Sequence, residues 1–166
     1  MITLIPMDPS DFDAYLALSI VEYADDKIRS GNWHPEEALD RSRQEFEKLL
    51  FVGLQTPDQF IYTVFDEERD QKLGMLWVNV PMAAPHREAF IFDFRIDEAF
   101  RGQGFGKKAL LALDEILIRM GVESVGLHVF AFNTTALELY KRVGYEITNI
   151  NMRKVYTASA VKSSGA

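Results

Sequence analysis

The spacing of apolar residues changes period several times along the chain, and each change marks an element. Ile2 to Met7 is a short apolar run closed by Pro6 and Pro9, which reads as a strand. Ser10 or Asp11 offers an N-cap to the helix that follows, where Phe12, Tyr15, Leu16, Ser19, Ile20 and Tyr23 recur at helical spacing before Gly31. Pro35 suits the first turn of a second helix, whose stripe is Ala38, Leu39, Ser42, Phe46, Leu49 and Leu50. Phe60 to Phe65 and Leu73 to Val80 form a hairpin pattern across the charged run Asp66 to Lys72. In the next strand, Ala89 to Ile96, strict alternation puts Phe90, Phe92, Phe94 and Ile96 on one face and Ile91, Asp93 and Arg95 on the other. Lys107 to Met120 returns to helical spacing through Ala109, Ala112, Leu113, Ile116, Leu117 and Met120. Ser124 to Phe132 reads as a strand, and a helix starts near Asn133, with Thr135 and Glu138 at capping-box spacing. Tyr145 to Ile150 and Asn151 to Tyr156 close the pattern as a final strand pair.

This order predicts an α/β (α+β) fold, a mixed sheet of about seven strands flanked by about four helices. The two strands either side of the Lys107 helix should run parallel, because a strand-helix-strand crossover imposes that direction. With no linker, repeat or second composition zone, residues 1–156 are expected to form a single domain. The small, polar stretch 157–166 is expected to be a flexible tail.

Composition then narrows the function. Hydrophobic residues make up 48% of the chain and aromatic ones 12%, enough for a packed core. A net charge of −7 argues against nucleic acid as a partner, which would call for a basic face, and is compatible with a cationic substrate. The absence of cysteine excludes disulfides, a cysteine nucleophile and thiolate metal sites, and no metal is expected. No apolar run approaches the roughly 18 residues of a membrane span, so a cytoplasmic protein is expected. Nothing in the sequence fixes the oligomeric state, and a homodimer remains open.

The candidate chemistry lies in Arg101-Gly102-Gln103-Gly104-Phe105-Gly106-Lys107-Lys108, between an apolar strand and an amphipathic helix. Alternate glycines let the backbone turn tightly and bring N–H groups close to a ligand, and a helix N-terminus favours an anion. Lys107 and Lys108 oppose the helix dipole unless a bound anion compensates for them. A P-loop would require Gly, four residues and Gly-Lys-Ser/Thr; here the spacing is one residue short and Lys108 follows Lys107. A dinucleotide fingerprint would need glycine where Lys107 stands.

Arg101-x-x-Gly104-x-Gly106 in this setting resembles the acyl-CoA binding motif of the GCN5-related N-acetyltransferase (GNAT) superfamily. Downstream, Leu127 to Asn133 followed by Ala136, Leu139-Tyr140 and Gly144-Tyr145 is similar to the second motif of that superfamily, and the match looks closest to an uncharacterised bacterial subgroup. The resemblance implies a GNAT fold with a splayed parallel strand pair. It also implies an N-acetyltransferase that moves an acetyl group from acetyl-CoA to an amine by direct attack. Backbone groups from Gly102 to Lys107, including Gln103 and Phe105, would seat the pyrophosphate, with Arg101 and Lys107 adding charge. Phe94, Arg95 and Ile96 match the positions whose main chain pairs with pantetheine and polarises the thioester. Asn133 would bond the pantetheine, and Tyr140 would give a proton to the departing thiolate.

The general base stays open among His128, Asp93 and Glu88. His128 matches a position where some members carry an acid, Asp93 is a carboxylate in an apolar strand, and Glu88 matches the catalytic glutamate of histone-acetylating members. Glu22, Tyr23, Asp26, Trp33 and His34 fall where the superfamily shapes its acceptor pocket. The acceptor, a small-molecule amine or a protein amine, is not legible. A CoA-binding module without catalysis and a nucleotide-binding protein with a variant phosphate loop are the rival readings.

Overall fold

A computed structural model describes residues 1–156. Strand β1 (Ile2–Pro6) is followed by helices α1 (Pro9–Arg29) and α2 (Pro35–Leu49), then strands β2 (Gln59–Asp66), β3 (Gln71–Asn79) and β4 (Glu88–Ile96). Helix α3 (Phe105–Arg119), strand β5 (Ser124–Leu127) and helix α4 (Thr134–Val143) complete the regular elements. The five strands form one sheet in the order β1-β2-β3-β4-β5, antiparallel except for the parallel pair β4 and β5. The crossover through α3 accounts for that parallel pair, as the sequence pattern predicts.

Two apolar layers sandwich the sheet. On one side Leu76, Val78, Val80, Ala89 and Ile91 pack against Leu110, Leu113 and Leu117 of α3 and Tyr140 of α4. On the other, Met75 and Trp77 pack against Tyr15 and Ile20 of α1 and Phe46 of α2. Successive β3 residues therefore serve opposite layers, as a strand buried on both faces requires.

The local start signals differ from expectation at two helices. Asp8 caps α1, accepting the Ser10 N–H at 2.8 Å, and Pro9 takes the first helical position in place of a start at Ser10 or Asp11. Asn133 caps α4 through the Ala136 N–H at 3.2 Å, so the Thr135–Glu138 capping box does not form.

Two larger differences concern strands. Among the described residues the sheet has five strands where the pattern suggests about seven, because the final pair expected over residues 145–156 does not form and that stretch enters no strand pairing. A strand-like pattern is expressed only where a partner edge supplies the hydrogen bonds. The strand expected from Ser124 to Phe132 likewise stops at Leu127, where its only neighbour diverges. The expected tail, 157–166, lies outside the described residues. Among the described residues no helix is long and apolar enough to cross a membrane.

Candidate active site

One irregularity in β4 organises the site. Val78 pairs with Ile91 and the adjacent Trp77 pairs with Asp93, leaving Phe92 as an extra residue, a β-bulge. The inserted residue resets the parity of the strand. Ala89 and Ile91 before it, and Phe94 and Ile96 after it, serve the α3 side. Phe92 packs against Trp77 with tilted rings and centroids 4.8 Å apart, and meets Phe90 edge-on at 5.2 Å, on the α1 side. Asp93 and Arg95 also face α1, through Ser19 and Glu22. The expected division, with Ile91 beside Asp93 and Arg95, is thus overturned by a single residue.

At the same point β4 and β5 part. Their pairing runs from Glu88↔Ser124 to Ile91↔Leu127 and stops. Beyond it Asp93, Phe94, Arg95 and Ile96 remain paired to β3 on one edge while their β5-facing edge has no strand partner among the described residues. A strand edge of this kind is a template for an extended ligand with alternating donors and acceptors.

The glycine loop lies at the end of that edge. Arg101 donates from Nε to the Ile96 carbonyl at 2.9 Å, tying the loop to the strand terminus, and Gln103 donates to the Ala99 carbonyl at 3.2 Å. Gly102 and Gly104 have φ of 73° and 81°, a left-handed conformation that favours glycine, and a Cβ on either would meet nothing within 4 Å. Their space is open to a ligand while their backbone demands glycine. The first helical bond of α3 is donated by Lys108 to the Gly104 carbonyl at 3.3 Å, leaving the N–H groups ahead of it aimed out of the helix end. Phe105 is buried and anchors the turn, and Lys107 and Lys108 are exposed. Gly106 has a different role: a Cβ there would approach Leu139 Cδ2 to 3.0 Å, so its absence sets how closely α4 approaches α3.

Helix α4 faces the parted strands from the other side. Tyr140 is buried, its ring edge-on to Tyr145 at 5.6 Å. Burial first, and the Asp93 carboxylate second, push its hydroxyl up to about 12. Asn133 uses its carbonyl oxygen as the α4 cap, which leaves its NH2 free to donate outward.

Asp93 is held from α1. Ser19 Oγ donates to it at 3.1 Å and Tyr15 Oη lies at 3.4 Å. Burial raises its pKa above the ordinary carboxylate value, opposed by the Ser19 hydrogen bond and then by the Arg95 charge, while Glu22 raises it further. Arg95 itself bonds Glu22 at 2.6 Å and lies 3.9 Å from Asp97, fixing α1 to the strand edge. Tyr15 and Ser19 are site residues that reasoning on motifs missed. Their i, i+4 spacing places both on one face of α1, but only the fold brings that face onto Asp93.

The other candidates separate. His128 follows the last paired residue of β5, is exposed, and stands edge-on to Phe130 at 4.9 Å. Partial desolvation and then the Lys27 charge push its imidazole below the ordinary value. Glu88 sits at the exposed start of β4, opposite Ser124 and before the bulge, away from Asp93. Trp33 is buried, with Lys27 5.2 Å and Arg41 4.9 Å from its ring centroid, so its cation–π partners are the chain's own cations. Tyr23 donates to Glu45 at 2.9 Å, and His34 occupies the N-cap position of α2. A recess of about 560 Å³ between β1 and α3 includes Phe105 and Lys108 but none of Asp93, Asn133 or Tyr140. Among the described residues no group of three or more His, Asp or Glu is arranged to hold a metal ion.

A parallel pair parted at a bulge, with a glycine-capped helix at its mouth and a tyrosine from the next helix beside it, defines an acetyltransferase architecture. The model of the Acetyltransferase (GNAT) family matches residues 22–145, and the chain belongs to that family. It is 40% identical over 153 residues to the uncharacterised N-acetyltransferase YycN of Bacillus subtilis (strain 168), covering 92% of this chain and 97% of that protein. Identity to the uncharacterised N-acetyltransferase YdgE of the same strain is 38% over 152 residues, covering 92% and 96%. The crystal structure of YycN, a putative acetyltransferase, superposes with a TM-score of 0.90 at 39% identity, covering 95% of this chain and 99% of that one.

Proposed function

We propose that this protein transfers an acetyl group from acetyl-CoA to a primary amine by direct attack of the amine on the thioester. The observation that carries this reading is the free edge of Asp93 to Ile96, continuous with the N–H-lined end of α3. The edge suits the amide-bearing pantetheine arm and the helix end suits the pyrophosphate, so the two parts of CoA follow one another along the backbone. Exposed Lys107 and Lys108 add charge at that end. Open space at the Cβ positions of Gly102 and Gly104 lets phosphate oxygens approach the main chain.

The bound thioester supplies an activated acetyl group, and the residues of this chain handle protons. The amine nitrogen bonds to the carbonyl carbon, the C–S bond breaks, and the amine gives up one proton as the sulfur gains one. Asp93 is the acceptor we favour over His128. It is oriented by Ser19 and Tyr15, its raised pKa makes it a better base than an ordinary carboxylate, and it lies on the strand segment where β4 parts from β5. His128, whose imidazole is pushed below its ordinary pKa by partial burial and then by Lys27, lacks an orienting partner among the described contacts. Tyr140 donates to the departing sulfur and Asn133 donates its NH2 to pantetheine.

The acceptor approaches from the α1 side. The wall carries the carboxyl groups of Glu22, which is paired to Arg95, and Asp26, and hydrogen-bond acceptors of this kind suit an amine. The test is release of free CoA thiol from acetyl-CoA across a panel of polyamines, amino-acid amines, aminoglycosides and peptide N-termini. Amine-dependent release supports transfer. Tight CoA binding with no release for any amine class favours the non-catalytic module.

A further inference from the structure

A row of rings on the α1 side of the sheet is not used by the acyl seat. In β5 and its continuation, Val125, Leu127 and Val129 pack into the α3-side layer, so alternation turns Gly126, His128 and Phe130 to the α1 side. Gly126 lies opposite Phe90 in the parallel register, and Phe90 meets Phe92 edge-on at 5.2 Å. His128 is edge-on to Phe130 at 4.9 Å, and Phe130 stacks on Phe132 at 5.4 Å. Phe90 and Phe92 are 37% and 39% exposed, and His128 is exposed. Single exposed apolar residues are ordinary, but a contiguous set of rings marks a binding surface.

Three details give that surface a shape. The bulge turns two successive residues, Phe92 and Asp93, to the same side, which regular alternation forbids. Adjacent Cα atoms are about 3.8 Å apart, so a ring packed near Phe92 and an amine bonded to Asp93 are joined by a short linker. Gly126 is a strand glycine outside the left-handed region, and a Cβ there would meet only Phe90 Cδ2, at an ordinary 3.7 Å. Neither backbone strain nor close packing calls for glycine, and its missing side chain leaves a notch between Phe90 and His128. At the far end the Arg29 guanidinium lies 4.0 Å from the Phe132 ring centroid, covering that face, so the open row ends at Phe130.

We propose that the acceptor is a small arylalkylamine, a primary amine joined by a short chain to an aromatic ring, with the ring in the notch over Gly126. The assignment rests on the acetyl-transfer reading for the role of Asp93, while the ring contacts stand on the sheet face alone. A polyamine would satisfy the carboxyl groups and leave the rings in water. A peptide would have to run on past Phe130, where Arg29 already covers the row. A ligand with an aromatic body and one donor end matches a floor of rings with one convergent carboxylate.

Calorimetric titration of 2-phenylethylamine and of butylamine into the unaltered chain, with and without CoA, tests the floor independently of turnover. The aromatic amine should bind about ten-fold or more tightly than the aliphatic one. Gly126→Leu fills the notch and should remove most of that preference while CoA affinity is retained. Phe90→Ala, a truncation at an exposed ring, should reduce it as well, so the test does not depend on the folding of one variant. Thiol release from acetyl-CoA at equal kcat/KM for the two amines would leave acetyl transfer standing and overturn the aromatic floor. Preferential binding of the aromatic amine without thiol release would keep the floor and remove the transfer. Equal affinities, no binding of 2-phenylethylamine, tighter binding of spermidine or of a tripeptide beginning with Phe, or a preference that survives both substitutions would each overturn the proposal.

Discussion

Replacing Tyr140 by Phe removes one oxygen from a buried side chain and leaves its packing against Tyr145 in place, so the kinetic consequence can be estimated. The hydroxyl is pushed up to about 12, whereas a thiol ionises near 8.5, a gap of about 3.5 units or ~5 kcal/mol. Complete proton transfer to a formed thiolate is therefore uphill in the free protein. Tyr140 should act by hydrogen bonding to the sulfur as charge develops, with the proton moving late. A hydrogen bond to a charged group contributes roughly 1.5–3 kcal/mol, which corresponds to a loss of about 10- to 150-fold in kcat. Because that charge is absent from the ground state, the KM for acetyl-CoA should stay within a factor of about two. The assay is steady-state thiol release with a competent amine, alongside calorimetric CoA binding. Unchanged kcat in the Phe variant would refute the assignment, as would a loss confined to KM.

Substitutions at Asn133, Asp93 and Gly106 separate roles that overlap at single residues. Asn133→Asp keeps an acceptor for the Ala136 N–H but lacks the NH2, so it should retain thermal stability while weakening CoA affinity; Asn133→Ala should lose both, with about 0.5–2 kcal/mol of stability read by denaturant melts. Asp93→Asn should cut kcat/KM and remove its acidic limb in a pH profile. Since burial raises the folded-state pKa of Asp93, its ionisation opposes folding, and stability is lost as pH rises from the unfolded value of 3.8 through the folded one. Asp93→Asn should accordingly raise the melting temperature at pH 7 and leave it unchanged near pH 3, by calorimetry. Gly106→Val should lower the melting temperature by forcing α4 from α3 at Leu139, a loss that Leu139→Ala in the same chain should partly restore.

How much of this was legible before the structure depends on how local the information is. The glycine loop, the helix behind it and the Asn133 and Tyr140 pair are encoded within short windows, and the parallel strand pair follows from the crossover between them. The bulge at Phe92 is invisible to an alternation count, because one extra residue leaves an unbroken apolar run while moving Ile91 and Asp93 to opposite layers. The hydroxyls on Asp93 come from Tyr15 and Ser19, 78 and 74 residues away, a relation that no spacing rule reaches. Trp33 falls at an acceptor-pocket position in the sequence, but in the fold it is buried with Lys27 and Arg41 over its ring. The terminal strands fail for the opposite reason: their pattern is locally sound, but among the described residues 145–156 enter no strand pairing.

The central claim is that the parted strands and the helix behind Gly104 form a seat for CoA, and isothermal titration tests it most directly. CoA should bind the unaltered chain stoichiometrically while ATP and NAD do not. Gly104→Val, which meets open space but must adopt φ of 81°, should remain folded with a modest loss of stability and no longer bind CoA. Equal CoA affinity in the Val variant, or no CoA binding by the unaltered protein, would contradict the account.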